Sequence, residues 1–309
     1  MRSGYSRGAS GWLASITRRA LTKIQFIRLV RTKLVIHLHP RDNIQPRSFP
    51  IYSVYAQIER PDVLSTSLLI VRNLSVRIED KIIVENVSFE LGPNDRLSIL
   101  GPNGAGKTML LKALLNLVSY SGEIIWSPTV RIGYVPQKID ADRHLPLTYR
   151  DLFNSKCRIA KVNLGQIDEV SESVGLTKEI LATPVGHLSG GYFQRGLIGF
   201  ALLGQPNVLL LDEPTASIDE PGEEHIYELI HRLQDQYKLA VITVSHDLSF
   251  VYRYATRVLC LNRRSVCLGA PREALTPEVL TGLYGPSLSY YVHDHSDKLS
   301  GEAGSGPSR

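Results

Sequence analysis

Residues 101–108 read Gly101, Pro102, Asn103, Gly104, Ala105, Gly106, Lys107 and Thr108, a full match to the GxxxxGK[ST] spacing. Gly104 and Gly106 let the backbone turn its N–H groups inward around phosphate oxygens, and the helix that follows adds the positive end of its dipole. Lys107 is placed to reach the β and γ oxygens, and the Thr108 hydroxyl to coordinate Mg²⁺. This spacing implies a site for a nucleoside triphosphate. A Gly-rich turn arising by chance would not also stand between an apolar strand and an apolar helix.

A second candidate lies at 208–214, where Val-Leu-Leu-Leu is followed by Asp212, Glu213 and Pro214. On a strand beside the one that feeds the phosphate loop, Asp212 would help to hold Mg²⁺. Glu213, one residue on, would face the γ-phosphate and polarise a water molecule. Alone, an apolar run ending in two acids is an ordinary strand terminus, and the phosphate loop gives the pair its meaning.

The elements that must position these groups follow from periodicity. Short β-rich runs at 68–78 and 81–91 flank the turn residues Glu79 and Asp80, residues 95–100 form a buried strand, and an apolar helix runs from Lys107 to about Leu117. Strands at 121–126 and 130–135 precede a mostly helical stretch at 148–183. A further helix, an apolar strand at 208–211, another helix, a strand at 240–244 and a hairpin at 257–268 complete the pattern. Strands alternating with helices indicate an α/β fold with a mainly parallel core sheet. The first runs form an antiparallel β subdomain and the 148–183 region an inserted helical one.

Composition separates a basic extension from the rest. Of the net charge of +5, residues 1–62 carry +8 and residues 63–309 carry −3, so the folded part offers no basic footprint for nucleic acid. Helically spaced Ile24, Ile27, Val30, Leu34 and Leu38, with Arg28, Arg31 and Lys33 between them, match a basic surface-seeking helix, and the Arg-rich start also matches a transit peptide. A poorly ordered tail, or a stretch upstream of a true start at Val63 with no Met between Met1 and Met109, is the simpler expectation. No run approaches the roughly 20 apolar residues of a membrane-spanning helix. Cys157, Cys260 and Cys267 form no CxxC pair and are expected as separate reduced thiols.

Between the two acid-bearing motifs stands Leu188-Ser189-Gly190-Gly191-Tyr192, which resembles the LSGGQ-type signature of ABC ATPases. Its companions follow in that family's order: Gln137 after Tyr134-Val-Pro, Asp219 after Ala216-Ser-Ile, and His246 after Val244-Ser. The resemblance covers about 67–270 and implies a P-loop NTPase ABC cassette with a helical subdomain at about 138–187. It implies ATP and Mg²⁺ as cofactors, the metal being held by Thr108, Gln137 and Asp212. Glu213, His246 and Gln137 take the catalytic roles. Ser189, Gly190 and Gly191 at a helix start form a second anion site, and since the chain's own phosphate loop already has its donors, that site implies a second copy. A homodimer would thus sandwich two nucleotides, with each signature and Asp219 completing the other copy's site.

Two positions depart from the family pattern. Ile78 stands where the pattern has an aromatic against adenine, and Tyr192 where the signature has Gln. Longer stretches, residues 131–138, 145–153, 258–262 and 283–285, are similar to zinc-import ATPases within the zinc, manganese and iron uptake branch. That resemblance implies two membrane-spanning permease subunits, a periplasmic or surface solute-binding protein acting through them, and a place on the cytoplasmic face of the inner membrane. A manganese or iron importer of the same branch is the alternative cargo reading, and His293 and His295 are the candidate metal-binding residues of a tail expected to be disordered after about 296. A soluble ABC ATPase acting on nucleic acid or the ribosome would carry two cassettes or a long insertion. A scaffold that only binds ATP would lack Glu213 or His246.

Overall fold

The computed structural model describes residues 67–137, 146–216 and 218–285. The basic extension, its 24–38 segment, and His293 and His295 lie outside the described residues.

β1 (Leu69–Ile78) and β2 (Lys81–Leu91) form an antiparallel hairpin whose turn places Glu79 at φ 51°, and β4 (Ser121–Trp126) pairs with the other side of β1. The second sheet has six strands. β3 (Arg96–Leu100), β5 (Ile132–Val135), β6 (Val208–Asp212), β7 (Ala240–Val244), β8 (Arg257–Asn262) and β9 (Arg264–Gly269) lie in the order β5-β6-β7-β3-β8-β9. All neighbours are parallel except β8 with β9. The expected neighbour relation between the acid-bearing strand and the phosphate-loop strand is corrected here, because β7 lies between β6 and β3.

Every residue of β6 and β7 is buried, as expected of strands covered on both faces. Side chains alternate between the two layers. Val208 and Leu210 join Leu97, Ile99, Leu110 and Leu111 under the antiparallel sheet, while Leu209 and Leu211 pack with Ile198, Ile226 and Ile230 on the opposite face. Each such leucine, fully buried, contributes about 1.5–3 kcal/mol by removal of apolar surface from water. α1 (Lys107–Leu114) is shorter than its apolar run, because Asn116 turns to φ 55° and ends it.

The helical insert comprises α2 (Tyr149–Ala160), α3 (Gln166–Ser173) and α4 (Lys178–Ala182), and leads through a 3₁₀ turn into α5 (Gly190–Leu202). Thr148 and Asp151 exchange hydrogen bonds as a capping box at the start of α2. Tyr149, Phe153 and Cys157, four residues apart, form one buried face against α5. Gly196 lies so close that a Cβ there would stand 2.0 Å from the Tyr149 ring. α6 (Glu220–Tyr237), α7 (Leu248–Tyr254), α8 (Pro271–Ala274) and α9 (Pro277–Tyr284) complete the layer.

One cysteine expectation is overturned. Cys260 and Cys267 are opposed in register across β8 and β9, with Cα atoms 4.8 Å apart, and are joined as a disulfide, whereas Cys157 is free and buried. A spacing of seven residues does not announce a cross-strand pair; the hairpin register creates it.

Candidate active site

β5, β6, β7 and β3 are parallel, so the loops that follow them leave from one edge of the sheet, the usual place for a ligand in an open α/β fold. These loops carry Gln137, Glu213, His246 and residues 101–106, and Asp212 ends β6 at the same edge. Gly106 sits at φ 98°, and a Cβ there would come within 2.7 Å of the Ile83 carbonyl, so glycine is required. The N-terminus of α1 has no capping side chain and no acid in its first turn, leaving its N–H groups available to an anion. The loop is braced from the β8–β9 turn, where the Arg263 N–H donates to the Ala105 carbonyl at 3.0 Å.

Lys107 is only 5% exposed. Its Nζ donates to the Gly101 carbonyl at 2.7 Å and the Pro102 carbonyl at 3.2 Å, and lies 3.8 Å from Glu213 Oε1. Burial lowers the ammonium pKa, with the Glu213 and Asp212 carboxylates opposing it. Asp212 is raised by burial, while the Thr108 hydroxyl, donating to its Oδ1 at 3.0 Å, pulls it down and the Glu213 charge pushes it up. Thr108 reaches Asp212 although β6 does not adjoin β3, because α1 packs against β6. Glu213 holds φ 46°, unusual for a side-chain-bearing residue, and its N–H donates to the Val244 carbonyl at 3.2 Å. Gln137 Nε2 donates to Glu213 Oε2 at 2.5 Å.

The structure thus brings Lys107, Thr108, Gln137, Asp212 and Glu213 together. Gly101 and Pro102 join this cluster through the carbonyls that accept from Lys107, and the other candidates lie outside these side-chain bonds. Pro102 is half-buried, and Asn103 and Gly104 are exposed in the phosphate loop. His246 is exposed one residue after the buried Ser245. Ser189 caps α5, accepting from the Tyr192 N–H at 3.5 Å, with Ser189 and Gly190 exposed and Gly191 half-buried. Asp219 is the residue before α6 and makes no capping bond. Sequence reasoning assigned no role to Tyr134, yet burial and its contact with the Asp212 carboxylate hold its phenol far above the ordinary range. It also missed the hydroxyl chain linking Thr215, Tyr227 and Ser245. Neither residue type nor spacing signals such a chain.

A hydroxyl, a side-chain amide and two carboxylates converging beside a buried lysine and an open helix start suit a triphosphate with a hard divalent cation, which prefers oxygen ligands. Fold and site together define a P-loop nucleoside triphosphatase. A family model described as "ABC transporter" matches residues 84–216. The zinc import ATP-binding protein of Mannheimia succiniciproducens is 36% identical over 234 residues, covering 74% of this chain and 87% of that protein. Its counterpart in Pseudomonas fluorescens strain Pf0-1 is 34% identical over 250 residues, covering 79% and 94%. Among solved structures, an ABC transporter described as of metal-chelate type, in an inward-facing conformation, superposes with a TM-score of 0.63 at 27% identity, covering 71% of this chain and 89% of that one. An ATP-binding cassette in its ADP conformation shares the fold with a TM-score of 0.59 at 19% identity, covering 71% and 96%. The chain belongs to the ATP-binding, ATP-hydrolysing subunits of the ABC transporter family.

Proposed function

We propose that this chain energises zinc uptake as the ATPase of an ABC importer. The supporting observation is its 32–36% identity to zinc import ATP-binding proteins across 86–95% of their lengths. In this reading two copies act beneath two membrane-spanning permease subunits, on the cytoplasmic face; among the described residues no helix is long and apolar enough to cross a membrane. A solute-binding protein delivers the metal to those permeases.

The residues divide the work as follows. Lys107 and the N–H groups at the start of α1 hold the β- and γ-phosphates. Mg²⁺, when bound with the nucleotide, supplies neutralising charge to the phosphate oxygens; Thr108, Gln137 and Asp212 would hold it. Glu213, directed by the Gln137 amide, polarises the attacking water. His246 contacts the γ-phosphate, and the exposed start of α5, with Ser189, Gly190 and Gly191, closes the site on the partner copy together with Asp219.

The test is metal accumulation. A strain lacking the gene should lose high-affinity zinc uptake, regain it with the wild-type chain, and fail to regain it with Glu213→Gln. Loss confined to manganese or iron would reassign the cargo.

A further inference from the structure

Thr215 and Ser245 follow two different strands, and one buried phenol touches both. Thr215 Oγ1 stands 3.1 Å from the Tyr227 hydroxyl, and that hydroxyl 3.3 Å from Ser245 Oγ. The three residues are 1%, 4% and 1% exposed. Ser245 Oγ also accepts from the Asp247 N–H at 3.0 Å, so the chain of bonds runs on past His246 to the residue capping α7. The Tyr227 ring is fixed independently, stacked on Phe250 with centroids 3.9 Å apart.

The neighbouring backbone makes this bridge consequential. Thr215 is two residues beyond Glu213, whose carbonyl accepts from the Ala216 N–H at 3.2 Å and closes the Glu213–Ala216 turn around it. Ser245 immediately precedes His246 and is tied to β3 through its own N–H, which donates to the Ile99 carbonyl at 3.2 Å. β6 and β7 are paired only as far as Asp212 and Val244. Beyond that point a backbone bond from the Glu213 N–H to the Val244 carbonyl and the Tyr227 hydroxyl connect the two loops. Removing a buried hydroxyl shared by two others costs Thr215 and Ser245 one partner each, Ser245 keeping the Asp247 N–H.

We propose that Tyr227 is a positioning residue for hydrolysis, its hydroxyl setting the spacing between the loop that carries Glu213 and the loop that carries His246. This rests on the roles given to those two residues above. The phenol contacts no reacting atom. It acts through Thr215 and Ser245, and so affects the chemical step while leaving the phosphate loop, on the other side of β7, to bind nucleotide as before.

Tyr227→Phe removes one oxygen and retains the ring stack. The expected result is a fall in kcat of about tenfold with KM for MgATP and the affinity for a fluorescent ATP analogue both within twofold of wild type. Ser245→Ala should act in the same direction, and the double variant should be no slower than the slower single one, because both lesions cut one path. Turnover of Tyr227→Phe within twofold of wild type, a matching loss of affinity, or multiplying effects in the double variant would overturn the proposal. Should Tyr227→Phe fail to fold, Thr215→Val and Ser245→Ala carry the same measurements and the same criteria. Glu213→Gln and His246→Ala are assayed alongside. If they hydrolyse normally, the underlying roles are wrong; if they are inactive while Tyr227→Phe is normal, only the positioning role fails.

Discussion

The amide of Gln137 and the carboxylate of Glu213 meet at 2.5 Å, although 76 positions separate them. Gln137 follows β5 and Glu213 follows β6, and the parallel pairing of Val135 with Leu211 delivers both to the same edge of the sheet. The amide donates to one carboxylate oxygen while the Lys107 ammonium approaches the other at 3.8 Å, which fixes the carboxylate plane. Gln137→Ala should therefore leave nucleotide affinity measured without Mg²⁺ near wild type while kcat falls about tenfold, with the base itself retained. Steady-state phosphate release beside nucleotide titration checks the split.

Removing the base itself should cost more. Glu213→Gln retains Lys107, Thr108 and Asp212 and should bind ATP, but turnover should fall by about two orders of magnitude or more. An ATP-dependent dimer should accumulate on size exclusion in the presence of Mg²⁺. Near-wild-type phosphate release would remove Glu213 from its role.

Shared sites between copies make a different demand. Ser189 and Gly190 are exposed at the start of α5, away from the hydrogen bonds of the phosphate loop. In a mixture of Lys107→Ala and Ser189→Arg chains, mixed dimers hold one site with both lesions and one intact site. Cross-linked mixed dimers should hydrolyse faster than either parent. Full activity from a monomer, at concentrations where no dimer forms, would contradict this arrangement.

Packing of the insert is expected to hinge on Gly196. A Cβ there would stand 2.0 Å from the Tyr149 ring, which is buried and anchored by its hydroxyl donating to the Phe193 carbonyl at 2.6 Å. The ring cannot retreat without breaking that bond, so Gly196→Ala should destabilise the protein by about 1–3 kcal/mol or more. Urea denaturation measures it, and Gly282→Ala, where a Cβ meets nothing within 4 Å, is the control.

Lys156 gives a pH signature. Burial pushes its amine down to about 8 from the ordinary 10.5, with the neighbouring Cys157 opposing the shift. Its Nζ donates to the Phe200 carbonyl and lies over the Phe200 ring. Because the folded pKa lies below the unfolded one, the folded state binds fewer protons between these values, so this group's contribution to stability rises with pH. The cost is full below about pH 8 and vanishes toward 10.5. Wild-type stability relative to Lys156→Met should therefore improve between pH 8 and 10 in paired denaturation curves, and a constant difference would refute it.

Contiguous chemistry was legible in the sequence. The apolar run into Gly101, the glycines, Lys107 and Thr108 form one strand-loop-helix unit whose geometry depends on neighbours in the chain, and a mainly parallel α/β core sheet follows from apolar runs separated by helical periodicity. The motif order carried the family. Relations that depend on register or on packing between distant elements had no such signal. The β6-β7-β3 order, the opposition of Cys260 and Cys267, the fit of Gly196 against Tyr149, and the Tyr227 hydroxyl between Thr215 and Ser245 all belong to this class. A tyrosine at a core position of α6 reads as hydrophobic surface with helical spacing. Only the fold shows which atoms its hydroxyl meets, because hydrogen bonds are decided at distances of about 3 Å that local patterning does not encode.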